Sequence, residues 1–325
     1  MEPYFLPAMW EQRRICVAQA LYKHQVQSVL EVGCGEGNVL AFLVSPSPND
    51  ERPITQLYGI DVNADALGVA NERLQPSDYD LRDLRVDPLS VRLFHGDASV
   101  PVPGLAVDAV VCTEVIEHVD EHTGVPALTQ AVLGSYHPQL AVFTTPNAEF
   151  NINFPNLGYG TPDARFRDDD HKFEWTREQF RAWAEKAACE YGYTVEIRGI
   201  GMSMRNPIAG FEPCGGCTQM AVFERDASKN CSCADGVTGD PPRLLASAEY
   251  PVFALPQLDT PALQALVRKA AQNICDDQGG FKLDSLWRVL EVKQQFKRRH
   301  ALELWLDAQT TAFATQASGI YTVNA

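Results

Sequence analysis

Glu114-Val-Ile-Glu117-His118 and, farther along, Asp170-His171-Lys-Phe-Glu-Trp175 concentrate the chemistry of this chain. Begun as a helix, the first segment would set Glu114, Glu117 and His118 at i, i+3 and i+4, on one face. Two carboxylates and an imidazole on one face make most of a divalent-metal site. His171, in a polar loop able to fold back, is the natural fourth ligand. The competing expectation is a solvated helix face with His118 packed beneath it. His-Glu-x-x-His and His-x-x-Glu-His are both absent, which removes the zincin arrangements. Mixed oxygen and nitrogen ligands suit Mn²⁺ or Mg²⁺ better than a thiolate-seeking ion, and two imidazoles favour Mn²⁺.

A second motif is Glu31-Val-Gly33-Cys-Gly35-Glu-Gly37. Its glycines let the backbone approach a ligand, and the helix that follows offers free N–H groups. It departs from Gly-x-Gly-x-x-Gly, which weakens a nicotinamide-nucleotide reading. Glu31 and Glu36 beside the loop disfavour a pyrophosphate and tolerate a cationic ligand. Asp61, ending the second strand, is placed for two ribose hydroxyls. Asp97, after the third strand, is placed for an adenine amino group. The alternative is a tight strand-to-helix turn with no ligand.

The elements that must hold these residues alternate. Strands are expected at 28–32, 57–60, 91–94, 107–112, 140–144, 193–197 and 218–223. Helices are expected at 10–25, 38–44, 64–74, 126–133 and 176–191, the last with Thr176 and Gln179 as a capping box. This pattern predicts an α/β fold, a Rossmann-like, mainly parallel sheet covered on both faces. The last two strands, joined without a full helix, predict an antiparallel final hairpin. Residues 1–225 form the expected main domain, with a polar lid insertion at 146–175. Residues 226–257 have linker character, and 75–89 look like an inserted loop or short helix. Residues 258–325 are expected to be a helical appendage, with Leu263, Leu266, Val267, Leu286, Leu290, Leu302, Leu304 and Leu306 spaced for burial.

Composition narrows the function classes. The net charge is −15 over 325 residues. From Asp240 onward nine Lys/Arg face nine Asp/Glu, so the negative charge lies in the part that carries the motifs. A broad nucleic-acid-coating surface is disfavoured, while a local groove or end contact is not. Nine scattered cysteines suit reduced thiols in the cytosol or nucleus rather than a disulfide framework. No apolar run reaches the roughly 18 residues of a membrane span, and no secretory leader pattern is present.

With Asp61 and Asp97, the glycine loop resembles the cofactor motifs of the seven-stranded S-adenosylmethionine-dependent methyltransferases, over about residues 26–225. The resemblance implies Glu31, Gly33, Gly35, Gly37, Asp61, Asp97, Ala98 and Thr113 as cofactor contacts. The segments at Glu114 and Asp170, together with Thr145-Pro-Asn-Ala-Glu-Phe-Asn151, are similar to the narrower Hua-enhancer-type small-RNA methyltransferases of the short animal and bacterial type. Gln12-Arg13 and Cys217-Thr-Gln219 also look like that family.

The resemblance implies methyl transfer to the 2′-oxygen of the 3′-terminal ribose of a small single-stranded RNA. Its metal ligands would be Glu114, Glu117, His118 and His171. Chelation of free 2′- and 3′-hydroxyls would select the RNA end and acidify the nucleophile. An Argonaute/Piwi-type protein is a candidate partner that no residue identifies. The rival readings are a small-molecule O-methyltransferase of the same fold and a non-catalytic RNA-end-binding protein.

Weaker signals remain. Cys214, Cys217, Cys231 and Cys233 form two close pairs that could bind zinc, with free thiols the favoured reading. Lys293, Lys297, Arg298, Arg299 and His300 form a basic cluster, either an RNA phosphate contact or a solvated face. Phe150, Phe154, Tyr159 and Phe166 could stack bases or pack in the core. Arg165 and Arg167 could hold a phosphate.

Overall fold

β1 (Ser28–Val32), with Val29, Leu30 and Val32, and β5 (Leu140–Pro146), opening on Leu140–Phe143, are buried at every position. Such unbroken runs are what a strand covered on both faces requires. They belong to the larger sheet of a computed structural model that describes residues 3–45, 53–82, 85, 87–201, 214–229, 239–252, 258–317 and 319–324. The other strands of this sheet are β2 (Gln56–Asp61), β3 (Ser90–His95), β4 (Ala109–Thr113), β6 (Tyr193–Ile200), β7 (Thr218–Arg225) and β8 (Arg243–Glu249). Their order is β6-β7-β5-β4-β1-β2-β3-β8. β1 pairs in parallel with both β2 and β4, β2 with β3, and β4 with β5. β7 runs antiparallel to both β5 and β6.

This order positions the site. β4 and β2 flank β1 on opposite sides, so the chain reverses its direction of travel across the sheet at β1. Ligands bind beyond the carboxyl ends of strands at such a point. The glycine loop leaves the end of β1. Glu114 leaves the end of β4, and Val32 and Cys112 are register partners just before both. Helices α1 (Met9–Lys23), α2 (Asn38–Val44), α3 (Ala64–Arg73), α5 (Gly124–Thr129) and α6 (Arg177–Tyr191) belong to the same unit, whereas α4 (Asp78–Arg82) does not. α6 carries the expected Thr176/Gln179 capping box.

The chain divides into two compact units. The first holds residues 1–46, 54–75 and 89–248. The second holds residues 47–53, 76–88 and 249–325. The seven expected strands are present with the antiparallel hairpin at β6 and β7. An eighth, β8, lies in the stretch expected to be a linker, beside β3. Its residues are mostly exposed, with Leu244 and Leu245 outward, so no alternation marked it.

The second unit corrects the expectation of a helical appendage. It orders α7 (Thr260–Gln272), β9 (Gly280–Lys282), α8 (Leu283–Trp287), α9 (Leu290–Phe296), α10 (Arg299–Ala308), β10 (Phe313–Ala317) and β11 (Ile320–Val323). The strands form a sheet in the order β10-β11-β9. β9 and β11, at three and four residues, are too short for a clear period of two. Val267, Leu286, Leu302 and Leu306 are buried as expected, Leu263 and Leu266 are half-buried, and Leu290 and Leu304 face solvent. No described helix is long and apolar enough to cross a membrane.

Phe143 of β5 is fully buried and meets Trp183 of α6 at 5.2 Å and Phe223 of β7 at 5.7 Å between ring centroids. Phe143→Ala should cost about 3–5 kcal/mol of unfolding free energy. Urea titration checks this; a loss near zero would mean the sheet and α6 do not share one core.

Candidate active site

The segment after β4 is not the expected α-helix. Glu114 sits in a bend with φ +52°, and only Ile116–His118 form a single 3-10 turn. A non-glycine residue in the left-handed region is uncommon and marks a locally constrained backbone. Its amide is held by the carbonyl of Thr144 at 2.9 Å, which extends the β4–β5 pairing by one bond. The tight turn then aims Glu117 inward and His118 outward.

The insertion at 146–175 folds back to meet them. Phe173 and Trp175 anchor it in the main core. The Lys172 amide donates to the Glu117 carbonyl at 2.7 Å, and the Ala148 amide and the Gln219 side chain both donate to the Trp175 carbonyl at 3.0 Å. His171 is carried next to His118, with their rings edge to face at 4.9 Å. Ligand atoms of Glu117, His118 and His171 all lie within 4.8 Å of one another.

Glu114, expected as a ligand beside Glu117 and His118, stands outside this group. Arg13 of α1 donates to its Oε2 at 3.1 Å, and the Thr144 hydroxyl donates to its Oε1 at 2.9 Å. It is nevertheless near enough for its charge to act on Glu117. Burial first, and then that charge, push the Glu117 pKa well above the ordinary range, against its Thr145 hydrogen bond and Arg13. Glu117 is fully buried; Oε2 accepts from Thr145 at 2.9 Å, and Oε1 has no hydrogen-bond partner. A buried carboxylate oxygen without a donor fits a cation.

Neither imidazole stands alone. His118 Nδ1 lies 3.2 Å from Asp170 Oδ2, and His171 Nδ1 lies 2.7 Å from Glu174 Oε1. Sequence reasoning quoted Asp170 and Glu174 but gave them no role. Their place beside and three residues beyond His171 was the available signal. Thr144 and Thr145, two hydroxyls ending an apolar strand, were a similar one.

The cofactor candidates gather around the glycine loop. A cavity of about 420 Å³ is lined by Glu31, Gly33, Gly35, Thr113 and Glu114, with Trp10, Arg13 and Arg14 from α1. Gly33 has φ +66°, and a Cβ there would collide with the Val115 side chain. Gly35, at φ +49°, has open space where a Cβ would stand. Gly37 caps α2. The Gly35 amide donates to Asp61 Oδ2 at 2.7 Å and the Asn63 amide to its Oδ1 at 2.8 Å, so Asp61 also shapes the loop. Asp97 is exposed and accepts from the Ser99 amide, while Ala98 packs against the core; neither lines the cavity. Glu31 is buried with its Oε2 unpartnered. Burial pushes its pKa up to about 8, opposed by a Leu40 backbone hydrogen bond and aided by the Asp61 charge.

Several weaker expectations change. Phe150 is buried among Phe5 and Phe154, so it is not free to stack a base. Phe154 is half-buried, and Tyr159 and Phe166 are exposed. Arg167 spends its guanidinium on Asn151 and on the carbonyls of Asn147 and Cys217 rather than offering it to a phosphate. Arg165 donates to the Asn156 carbonyl. Cys217 is buried and Cys214 half-buried, both as free thiols; Cys231 and Cys233 lie outside the described residues. In the basic cluster Arg298 pairs with Asp87 at 2.8 Å, Arg299 with Asp284 at 2.8 Å, and His300 meets Glu303 at 3.6 Å. Lys293 lies over the Trp287 ring.

The sheet order and the placement of the glycine loop are those of the methyltransferase fold, and a model of the methyltransferase domain matches residues 30–137. A Rattus norvegicus protein named small RNA 2′-O-methyltransferase is 35% identical over 227 residues, 69% of this chain and 53% of that protein. A protein of the same name from Schizosaccharomyces pombe is 36% identical over 250 residues, 71% of this chain and 65% of that one. The solved methyltransferase domain of a bacterial Hen1 is 31% identical with a TM-score of 0.52, over 67% of this chain and 100% of that domain. The chain belongs to the small RNA 2′-O-methyltransferase (HEN1) family. It spans 53% of the length of the rat relative and 65% of the yeast one.

Two buried acids with raised pKa values give a signed pH dependence. Such groups take up protons on folding, so stability is greatest below their unfolded value of about 4.3 and falls as pH rises toward the folded value. For Glu31 that window ends at about 8. Without added metal or cofactor, the melting temperature should decline across this window, and Glu31→Gln and Glu117→Gln should each flatten the decline. Melts at stepped pH check this; an unchanged slope in both variants would refute it.

Proposed function

We propose that this chain transfers a methyl group from S-adenosylmethionine to the 2′-oxygen of the 3′-terminal ribose of small single-stranded RNAs, with a divalent ion, Mn²⁺ or Mg²⁺, at Glu117, His118 and His171. The carrying observation is the convergence of these three side chains, with an unpartnered Glu117 oxygen, three residues beyond Glu114 of the cavity lining. Glu114 is the proposed fourth ligand, reached by exchanging Arg13 for the ion. When bound, the cofactor supplies an electrophilic methyl group on a sulfonium, and the ion supplies a Lewis acid able to acidify a hydroxyl.

The chain's own residues do the rest. Glu31 and Glu114 offer carboxyl oxygens to the cavity, whose lining also holds Arg13 and Arg14. The glycine loop leaves room for close approach, and Asp61 keeps lone pairs for ribose hydroxyls. Glu117 and His171 sit in the dry floor of the site, while the half-exposed His118 lines its open side. A terminal ribose with two free hydroxyls is the partner that such a chelating site selects. The names of the relatives support RNA as the substrate class. An Argonaute/Piwi-type donor of that RNA remains part of the proposal without a residue to carry it.

Methyl transfer to a short single-stranded RNA, run with Mn²⁺ beside the same RNA ending in 2′-deoxyribose or a 3′-phosphate, tests the reading. Label on the first alone is expected. Equal label on the 2′-deoxy RNA would move the reaction to another atom, and label on none of them would overturn the assignment of substrate.

A further inference from the structure

Asn151, Arg167, Glu174 and His171 form one chain of hydrogen bonds in which every donor can be assigned. A guanidinium has no acceptor. Arg167 Nε donates to Asn151 Oδ1 at 2.5 Å, which fixes the orientation of that amide. Asn151 Nδ2 therefore faces Glu174 Oε2, also at 2.5 Å, as a donor. The Arg167 backbone N–H donates to Glu174 Oε1 at 2.8 Å. Both Glu174 oxygens thus receive groups that cannot accept, so Glu174 accepts on both sides. His171 Nδ1, 2.7 Å from Oε1, is left only the role of donor.

We infer that Glu174, locked by Asn151 and Arg167, is a positioning residue that keeps His171 protonated on Nδ1 and its Nε2 lone pair free for a cation. The identity of the cation rests on the proposed metal reading; the tautomer does not. Arg167 is itself anchored, since its two terminal nitrogens donate to the carbonyls of Cys217 and Asn147. The geometry therefore runs from β7 and the end of β5, through Arg167 and Glu174, to one ring nitrogen. His118 has a weaker counterpart, because its partner Asp170 is 73% exposed and competes with water.

Glu174→Gln replaces two acceptors with one acceptor and one donor at nearly constant shape. Either its Nε2 meets Asn151 Nδ2, donor against donor, or it faces the Arg167 amide and donates to His171 Nδ1, which moves the ring proton to Nε2. The experiment uses the full chain with ¹⁵N-labelled histidines. Long-range ¹H–¹⁵N correlation spectra give each ring's tautomer, with His171→Asn identifying the His171 signals. Manganese titration followed by electron paramagnetic resonance gives the affinity of the metal alone.

The expected result is Nδ1–H for His171 in the wild type and Mn²⁺ binding weakened about 10–100-fold in Glu174→Gln, with Nδ1–H lost where the variant's Nε2 faces that ring. A wild-type His171 protonated on Nε2 would overturn the inference, as would a folded Glu174→Gln that binds Mn²⁺ like the wild type. Should the variant fail to fold, the wild-type spectrum alone decides the tautomer. A wild type that shows Nδ1–H yet binds no Mn²⁺ would remove the metal reading and leave the positioning of His171 standing.

Discussion

An ionisable oxygen without a partner, sealed in the interior, is the constraint around which this molecule is built. Glu117 is fully buried, and only one of its two oxygens has a donor. Burying an ionised carboxylate is costly unless a positive group answers it. Nothing in the local sequence forces this arrangement. A regular helix after β4 would have spread Glu114, Glu117 and His118 along one face. The left-handed bend at Glu114 and the short 3-10 turn instead drive Glu117 into the floor of the site. The β4–β5 register then brings Thr144 and Thr145 within reach, each giving one hydroxyl to one of the two glutamates.

Arg13 belongs to the same balance. Two acids three residues apart repel each other, and that repulsion helps raise the Glu117 pKa. The Arg13–Glu114 pair supplies a cation from α1 to the outer of the two. The pair is largely buried, its side chains 26% and 19% exposed, so Glu114 needs a cation beside it, Arg13 or another. The inner carboxylate has no such substitute. This asymmetry gives Glu114 and Glu117 different tasks although they share a residue type.

Much of this was legible in the sequence, and the gaps have physical causes. The parallel core showed itself because apolar runs bounded by glycine, proline and polar clusters have few other readings. The glycine loop, Asp61 and His171 were visible because their chemistry depends on residue type in a short window. The bend at Glu114 was not, since a left-handed residue outside glycine carries no marker in the chain. β8 was missed because it is mostly exposed, and β9 and β11 because they are only three and four residues long. Arg167 was misjudged as a phosphate ligand because an arginine in a polar insertion looks free until the carbonyls of Asn147 and Cys217, distant in sequence, are brought beside it.

The fate of the basic residues bears on how an RNA would be held. Arg167 is spent inside the insertion, and Arg298 and Arg299 are tied to carboxylates of their own unit. With a net charge of −15, the chain lacks the excess of cations that makes binding to a phosphate backbone strong and indifferent to sequence. On the proposed reading, recognition concentrates at Glu117, whose Oε1 has no hydrogen-bond partner, and the two imidazoles beside it. On that reading a cation would sit there, and a ligand end with two free hydroxyls would complete its shell. Selectivity for the terminus would then follow from the same unpartnered oxygen that makes the empty floor of the site expensive to bury.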